Sequence, residues 1–186
     1  MQLLSFVVLA TLAGTVACQG VQVFGPNEAG IACFRIPSLV RTDQGSLVAF
    51  AEARHGSCSD SAVHEIAFSR STDGGRTWTP VAFAVGNSSY MVGNPAATFV
   101  TTTNQIIVVF VKHDKSCVGD CGRGNAVIFS DDEGKTWTEP LDVSLDFGAA
   151  SGSLPGPGTA LQSSDDRVWV ISHHVCYLNT KFSFRE

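Results

Sequence analysis

The chain has 186 residues, of which 44% are hydrophobic, and this is enough for one domain with a sizeable core rather than a disordered segment. Its formal net charge is −5 at pH 7. Nucleic-acid surfaces carry a clustered basic excess, so the charge balance argues against a nucleic-acid partner, and an anionic ligand would have to be met by individually placed arginines.

The first 18 residues predict a secretory signal peptide. An apolar stretch runs from Leu3 to Ala13, and small residues follow it up to Ala17, which places cleavage near Ala17 or Cys18. A membrane span needs about 20 apolar residues, so an anchor is the weaker alternative. We therefore expect a secreted protein whose mature domain covers residues 19–186, with no membrane span after the signal is removed.

Five cysteines follow the predicted signal segment, and an oxidising compartment favours disulfides among them. Cys117 and Cys121 lie in one loop and are the predicted local pair, which leaves an odd number of thiols. The alternative is that these two cysteines bind zinc together with His113. Asn87, in the sequence Asn-Ser-Ser, is a predicted N-glycosylation acceptor.

Three apolar runs predict the strands of a first sheet. Residues 36–40 and 47–53 flank the turn 42–45 and form a predicted β-hairpin, and the third run, 62–69, follows a polar loop. This run leads into residues 71–78, STDGGRTW. The aspartate of this turn can accept backbone N–H bonds, its glycines permit left-handed residues, and its tryptophan can anchor the outgoing strand.

The turn with the aspartate recurs at residues 130–137 as SDDEGKTW, and the interval between the two turns carries Leu47 onto Ile106. A third unit begins at residues 158–162 and continues along residues 168–172, but it stops before its own aspartate turn. Four-stranded sheets repeated at this interval are typical of a β-propeller. The predicted fold is therefore all-β, with two complete blades and the first half of a third.

Blade topology predicts which side chains share a face. The loop between the second and third strands opens on one face with the connection between blades, whereas the hairpin turn and the aspartate turn open on the other. Arg35 begins an innermost strand, and Arg54 and Asp60 belong to the loop between the second and third strands, so these three residues are expected to converge near the axis. Asn94 lies at the rim of the same face, and the aspartate turns are expected to be scaffold.

The chain resembles the N-terminal half of a sialidase of the Asp-box family. The resemblance covers roughly residues 34–174 and is specific because its motifs occur in order: FRIP at 34–37, FAEAR at 50–54 followed by Asp60, Asn94-Pro95, the two Asp boxes, and GPGTALQ at 156–162. It implies a six-bladed propeller, of which this chain holds about two and a half blades.

The resemblance also implies an activity, that of a secreted or lysosomal exo-α-sialidase that removes terminal sialic acid from glycoconjugates by a retaining mechanism without a cofactor. Asp60 then matches the acid/base, Arg35 matches one of three arginines that bind the sialic acid carboxylate, and Arg54 matches an arginine that contacts the sugar. Asn94 is assigned to substrate binding, and Glu52 is expected to hold an arginine in place. The structural alternatives are a salt bridge for Arg35 and a loop cap for Asp60.

Several parts of the sialidase site have no counterpart in this sequence. Tyr90 and Tyr177 lie outside the family's nucleophile motif, and the partner glutamate and two further arginines are missing, so we expect the chain alone to be inactive. An unclosed propeller also leaves an edge near residues 168–172 unpaired, which predicts poor stability and aggregation. The alternatives are a non-catalytic Asp-box propeller that binds glycans or proteins, and a half-propeller completed by another chain. The sequence does not specify an oligomeric state.

Overall fold

A computed structural model describes residues 20–86, 90–115, 123–143, 154–156 and 158–172. The regular structure within these ranges is β-strand, apart from a 3₁₀ turn at Glu28–Gly30, and no helix among these residues is long and apolar enough to cross a membrane. The predicted signal segment, Asn87, Cys117, Cys121 and Tyr177 lie outside the described residues.

The first blade is a four-stranded antiparallel sheet whose strands follow each other in chain order: β1 (Cys33–Arg41), β2 (Leu47–Arg54), β3 (His64–Ser71) and β4 (Ala82–Val85). The hairpin between β1 and β2 closes where predicted, because Thr42 and Ser46 pair across it and Gly45 takes a φ of 92°. The predicted strand order of the repeat is therefore confirmed.

The second blade repeats the first with β5 (Tyr90–Val100), β6 (Gln105–Asp114), β7 (Arg123–Ser130) and β8 (Leu141–Asp142). The third unit contributes β9 (Gly158–Thr159), β10 (Leu161–Gln162) and β11 (Val168–Trp169). Together they form a partial propeller that does not close, as predicted.

The third unit differs from the prediction in one respect, because residues 158–162 form two strands instead of one. β9 pairs in parallel with β5, and the N–H of Ala160 donates to the carbonyl of Ala97 at 3.0 Å. Beyond this point β10 turns to pair with β11 alone. The innermost strands of blade 2 and of the third unit are therefore joined by backbone hydrogen bonds.

A shared hydrophobic core holds the first two blades together. Phe50 and Phe110 are fully buried in it, and the second Asp-box tryptophan, Trp137, packs edge-on against Phe50 and Phe68 at ring-centroid distances of 5.4 and 5.5 Å. Full burial of one such aromatic side chain stabilises the fold by about 1.5–3 kcal/mol. The Asp-box tryptophan of one blade thus packs against the preceding blade.

The two Asp boxes form the hydrogen-bonded turns that the sequence predicts. Asp73 accepts the N–H groups of Arg76 and Thr77 and the hydroxyl of Thr77, and Asp132 is bound in the same way. The Thr77 bonds hold the pKa of Asp73 well below its usual value. Burial raises the pKa of Asp132, but the hydrogen bonds, led by those from Thr136, outweigh it and lower the pKa to about 2. Both carboxylates are ionised turn caps at the end of the blades opposite Arg35.

Candidate functional site

A cleft of about 380 Å³ opens between the first two blades, where β1 and β5 begin and β2 ends. The antiparallel order of the strands brings these ends to one face, as the blade topology predicts. All four residues singled out from the sequence line this cleft, namely Arg35, Arg54, Asp60 and Asn94.

Asp60 lies between two arginines at the mouth of the cleft. Its Oδ1 accepts hydrogen bonds from Arg35 Nη1 at 2.8 Å and from Arg54 Nη1 at 2.6 Å. The Asp60 side chain is 82% exposed, whereas that of Arg54 is 3% exposed. The hydrogen bond from Arg54 and the charges of both guanidiniums lower the pKa of Asp60, so it is a carboxylate in the free site.

Glu52 is the buried anchor beneath this cluster. Its Oε2 accepts Arg54 Nε at 2.9 Å and Nη2 at 2.6 Å, and both side chains are 3% exposed. The sequence prediction that Glu52 holds an arginine is consistent with this geometry. The other oxygen, Oε1, accepts the backbone N–H of Asn94 at 2.9 Å, so the same carboxylate joins blade 1 to blade 2.

Asn94 reaches the site through its backbone, which takes a φ of 52° beside Glu52. The neighbouring Gly93 permits this approach, because a Cβ at that position would lie 2.6 Å from Glu52 Oε1. Sequence reasoning identified the Asn-Pro motif at the rim but missed that a glycine before it lets the buried carboxylate contact the backbone.

A disulfide joins Cys33 to Cys58 and was not singled out from the sequence. Cys33 faces Arg54 across β1 and β2, and the carbonyl of Cys58 accepts Arg54 Nη1 at 2.7 Å. The disulfide therefore ties the loop that carries Asp60 to the start of β1. Blade topology brings Cys33 and Cys58 to the same face as Arg35 and Asp60, so this pair could have been predicted from the sequence.

Two histidines in the cleft were not predicted to belong to this site: His64 was not singled out, and His113 was named only as the alternative zinc ligand with Cys117 and Cys121, which lie outside the described residues. His64 and His113 both line it, and the Nε2 atom of each is buried with no hydrogen-bond partner within the described ranges. Burial lowers the pKa of His64 although the Glu52 carboxylate is near, so the imidazole is neutral at pH 7. In the described part of the chain, no three His, Cys, Asp or Glu side chains are placed to hold a metal ion.

Comparisons with known proteins agree with this architecture. The BNR repeat-like domain family matches residues 45–184. A sialidase of Bacteroides fragilis (strain YCH46) is 31% identical over 178 residues, which covers 78% of this chain and 31% of the relative. The chain thus spans about a third of that protein's length.

Solved structures show the same relationship. The Hadza microbial sialidase Hz136 superimposes with a TM-score of 0.68 at 28% identity, covering 75% of this chain and 32% of the other. A leech intramolecular trans-sialidase superimposes with a TM-score of 0.70 at 17% identity, covering 88% of this chain and 44% of the other, and it shows the fold alone. The repeat, the fold and the matched relatives together establish that this chain belongs to the BNR-repeat, Asp-box family of sialidases.

Proposed function

We propose that the cleft is the acid/base part of an exo-α-sialidase site, which removes terminal sialic acid from glycoproteins, glycolipids or oligosaccharides. One observation carries the proposal: Asp60 lies between Arg35 and Arg54 at the mouth of a cleft between two blades. A carboxylate within reach of the sugar and arginines for an anionic substrate are the groups that this reaction needs from this part of a site.

Arg35 is the group proposed to bind the substrate carboxylate. Its side chain is 45% exposed, and Nη1 bonds the exposed Asp60. A guanidinium offers two parallel N–H groups to a carboxylate, a geometry that a lysine cannot provide. An incoming sialic acid carboxylate would therefore compete with Asp60 for Arg35.

This competition for Arg35 would allow Asp60 to become protonated when substrate binds. In the free site the two arginines keep Asp60 ionised, but a general acid must hold a proton to give to the leaving oxygen. A bound substrate carboxylate would draw the Arg35 N–H groups away and place a second negative charge nearby, and both changes raise the pKa of Asp60. After the leaving group departs, the Asp60 carboxylate would accept a proton from water.

Arg54 and Glu52 are proposed to fix this arrangement. Arg54 is buried, donates to Glu52 through two nitrogens, and presents its remaining nitrogen to Asp60 and Cys58. A buried ion pair of this geometry sets the direction of the guanidinium, so Asp60 is held by a group whose orientation Glu52 fixes. We place the protein in a secretory or lysosomal compartment, in keeping with the predicted signal peptide.

The experiment is release of a fluorescent aglycone from an α-sialoside. Two purified proteins are compared, the 186-residue chain and a longer protein that extends this sequence to the full length of its sialidase relatives, about a third of which it spans. We expect release only from the longer protein, because the resemblance implies a nucleophile motif that has no counterpart in this sequence. No release from either protein, with sialoside binding retained, would favour the alternative of a glycan-binding module.

A further inference from the structure

The innermost strand of blade 1 contains a β-bulge beside the site. Arg35 pairs with Glu52 and Ser38 pairs with Phe50, so two residues of β1 lie opposite the single residue Ala51 of β2. The two residues of the bulge are Ile36 and Pro37, one more than β2 has at this point. A bulge of this kind adds local twist and can redirect the neighbouring side chain.

The bulge determines which face of the sheet carries Arg35. Arg35 and Ser38 are three positions apart, and in a regular strand such residues point to opposite faces. Here both are opposite residues of β2 that share one face, Glu52 and Phe50. Ser38 is buried against blade 2 and accepts the N–H of Ala97. Without the bulge, Arg35 would point away from Glu52 and Asp60.

Ile36 forms the bulge in a conformation that isoleucine adopts rarely. Its φ is 54°, in the left-handed region, where a β-branched side chain is strained. The residue also lines the cleft. Pro37 follows it and has no N–H group, so this position of the bulge leaves no backbone donor unpaired.

Blade 2 has the same arrangement with different residues, and the third unit shares a left-handed residue that precedes a proline in the sequence. Asn94 has a φ of 52° and precedes Pro95 at a register shift in β5, and Gly156 has a φ of 73° and precedes Pro157 in the sequence. Asparagine and glycine enter the left-handed region readily, whereas isoleucine does not. Ile36, the strained residue among these, thus directly follows Arg35, the exposed arginine of the cleft.

We propose that Ile36 is a positioning residue, whose left-handed backbone keeps Arg35 on the face of β1 that carries Glu52 and Asp60, so that Arg35 can receive the substrate carboxylate. This inference rests on the proposed function for its last step, and on register and backbone geometry for the rest. Ile36 acts through Arg35 and takes no part in the chemistry.

The first test replaces Ile36 with residues that favour the same backbone. Ile36→Asn, which copies blade 2, and Ile36→Gly should keep the bulge and relieve its strain, so the midpoint of thermal unfolding should rise by a few degrees. The pKa of Asp60 should stay depressed, as followed by carboxyl carbon NMR in a 186-residue chain that carries Leu161→Lys and Ile171→Lys, two changes of exposed apolar residues that should reduce association and serve as the parent background here. A lower midpoint in both variants would contradict the strained bulge.

The second test prevents the bulge. Ile36→Pro fixes φ near −65°, and Arg35→Ala is combined with it in a double-mutant cycle read out by the pKa of Asp60. In the parent chain Arg35→Ala should raise that pKa, whereas in the Ile36→Pro background it should have no further effect. An equal rise in both backgrounds would overturn the proposal. If Ile36→Pro does not fold, Arg35→Ala is added to the Asn and Gly variants instead: it should raise the pKa of Asp60 there as much as in the parent chain, and the absence of a rise would overturn the proposal.

These measurements use no sialoside. A failed cycle therefore counts against the role of Ile36 and leaves the proposed function standing. Conversely, an intact cycle in a protein that does not hydrolyse sialosides would count against the proposed function alone.

Discussion

Arg54→Met is expected to cost about 3–5 kcal/mol of folding free energy, because it leaves a buried carboxylate without its charge partner. Glu52 and Arg54 are each 3% exposed, and Glu52 would keep only the Asn94 N–H among the bonds described above. Native-state hydrogen exchange measures this loss. Core amides of β2 that become accessible only through global unfolding should exchange at least about a hundred-fold faster in the variant than in the parent chain.

The matched control is the double variant Glu52→Gln with Arg54→Met. It removes both charges and keeps an oxygen for the Asn94 N–H, so most of the lost protection should return, since replacing both partners of a buried pair is far less costly than removing one. If the double variant is as destabilised as Arg54→Met alone, the loss arises from packing around the arginine and the account of Glu52 is wrong.

The second large effect concerns the apolar surface of the third unit. Leu161 and Trp169 are cross-strand partners and are 62% and 41% exposed, and Ile171 is 73% exposed. Exposed apolar side chains on a short, two-stranded sheet with an open edge favour association with other chains. The 186-residue chain is expected to self-associate at micromolar concentrations, as measured by sedimentation velocity.

Lysine substitutions on this surface test that expectation. Leu161→Lys combined with Ile171→Lys should shift the sedimenting species toward monomer. The control is Leu141→Lys, which changes a residue of similar exposure, 58%, on the edge strand β8 of blade 2. The expectation is wrong if the control reduces association as much as the double variant does, or if the parent chain is a stable monomer.

The sequence was sufficient to predict the strand order of the blades and the face of the sheet on which the candidate site lies. The Asp boxes fixed the repeat because each uses one aspartate and one tryptophan for a local turn and an anchor. Once the strand order was known, the antiparallel alternation of strand ends brought Arg35 and Asp60 to one face. This step needed only topology and no side-chain geometry.

Finer features depended on interactions between blades that no local pattern encodes. The bond from Asn94 to Glu52 requires the exact approach of β5 to β2, and the parallel pair of β9 with β5 forms where the third unit packs beside blade 2. The bulge at Ile36 contradicts the intrinsic preference of its residue, so local propensity predicts the opposite. The pairing of Cys33 with Cys58 could have been predicted from topology, but the prediction favoured Cys117 and Cys121 because they are close to each other in sequence.

The most direct test of the central claim is the dependence of Asp60→Ala on the leaving group. In the longer protein, this variant should lose about 10²- to 10⁴-fold in rate on a sialoside with a sugar leaving group, which needs protonation. It should lose much less on a sialoside with an acidic aryl leaving group, and Asp43→Ala, which changes an exposed aspartate of the hairpin turn, should leave both rates unchanged. Equal losses on the two substrates would contradict the assignment of Asp60 as the proton donor.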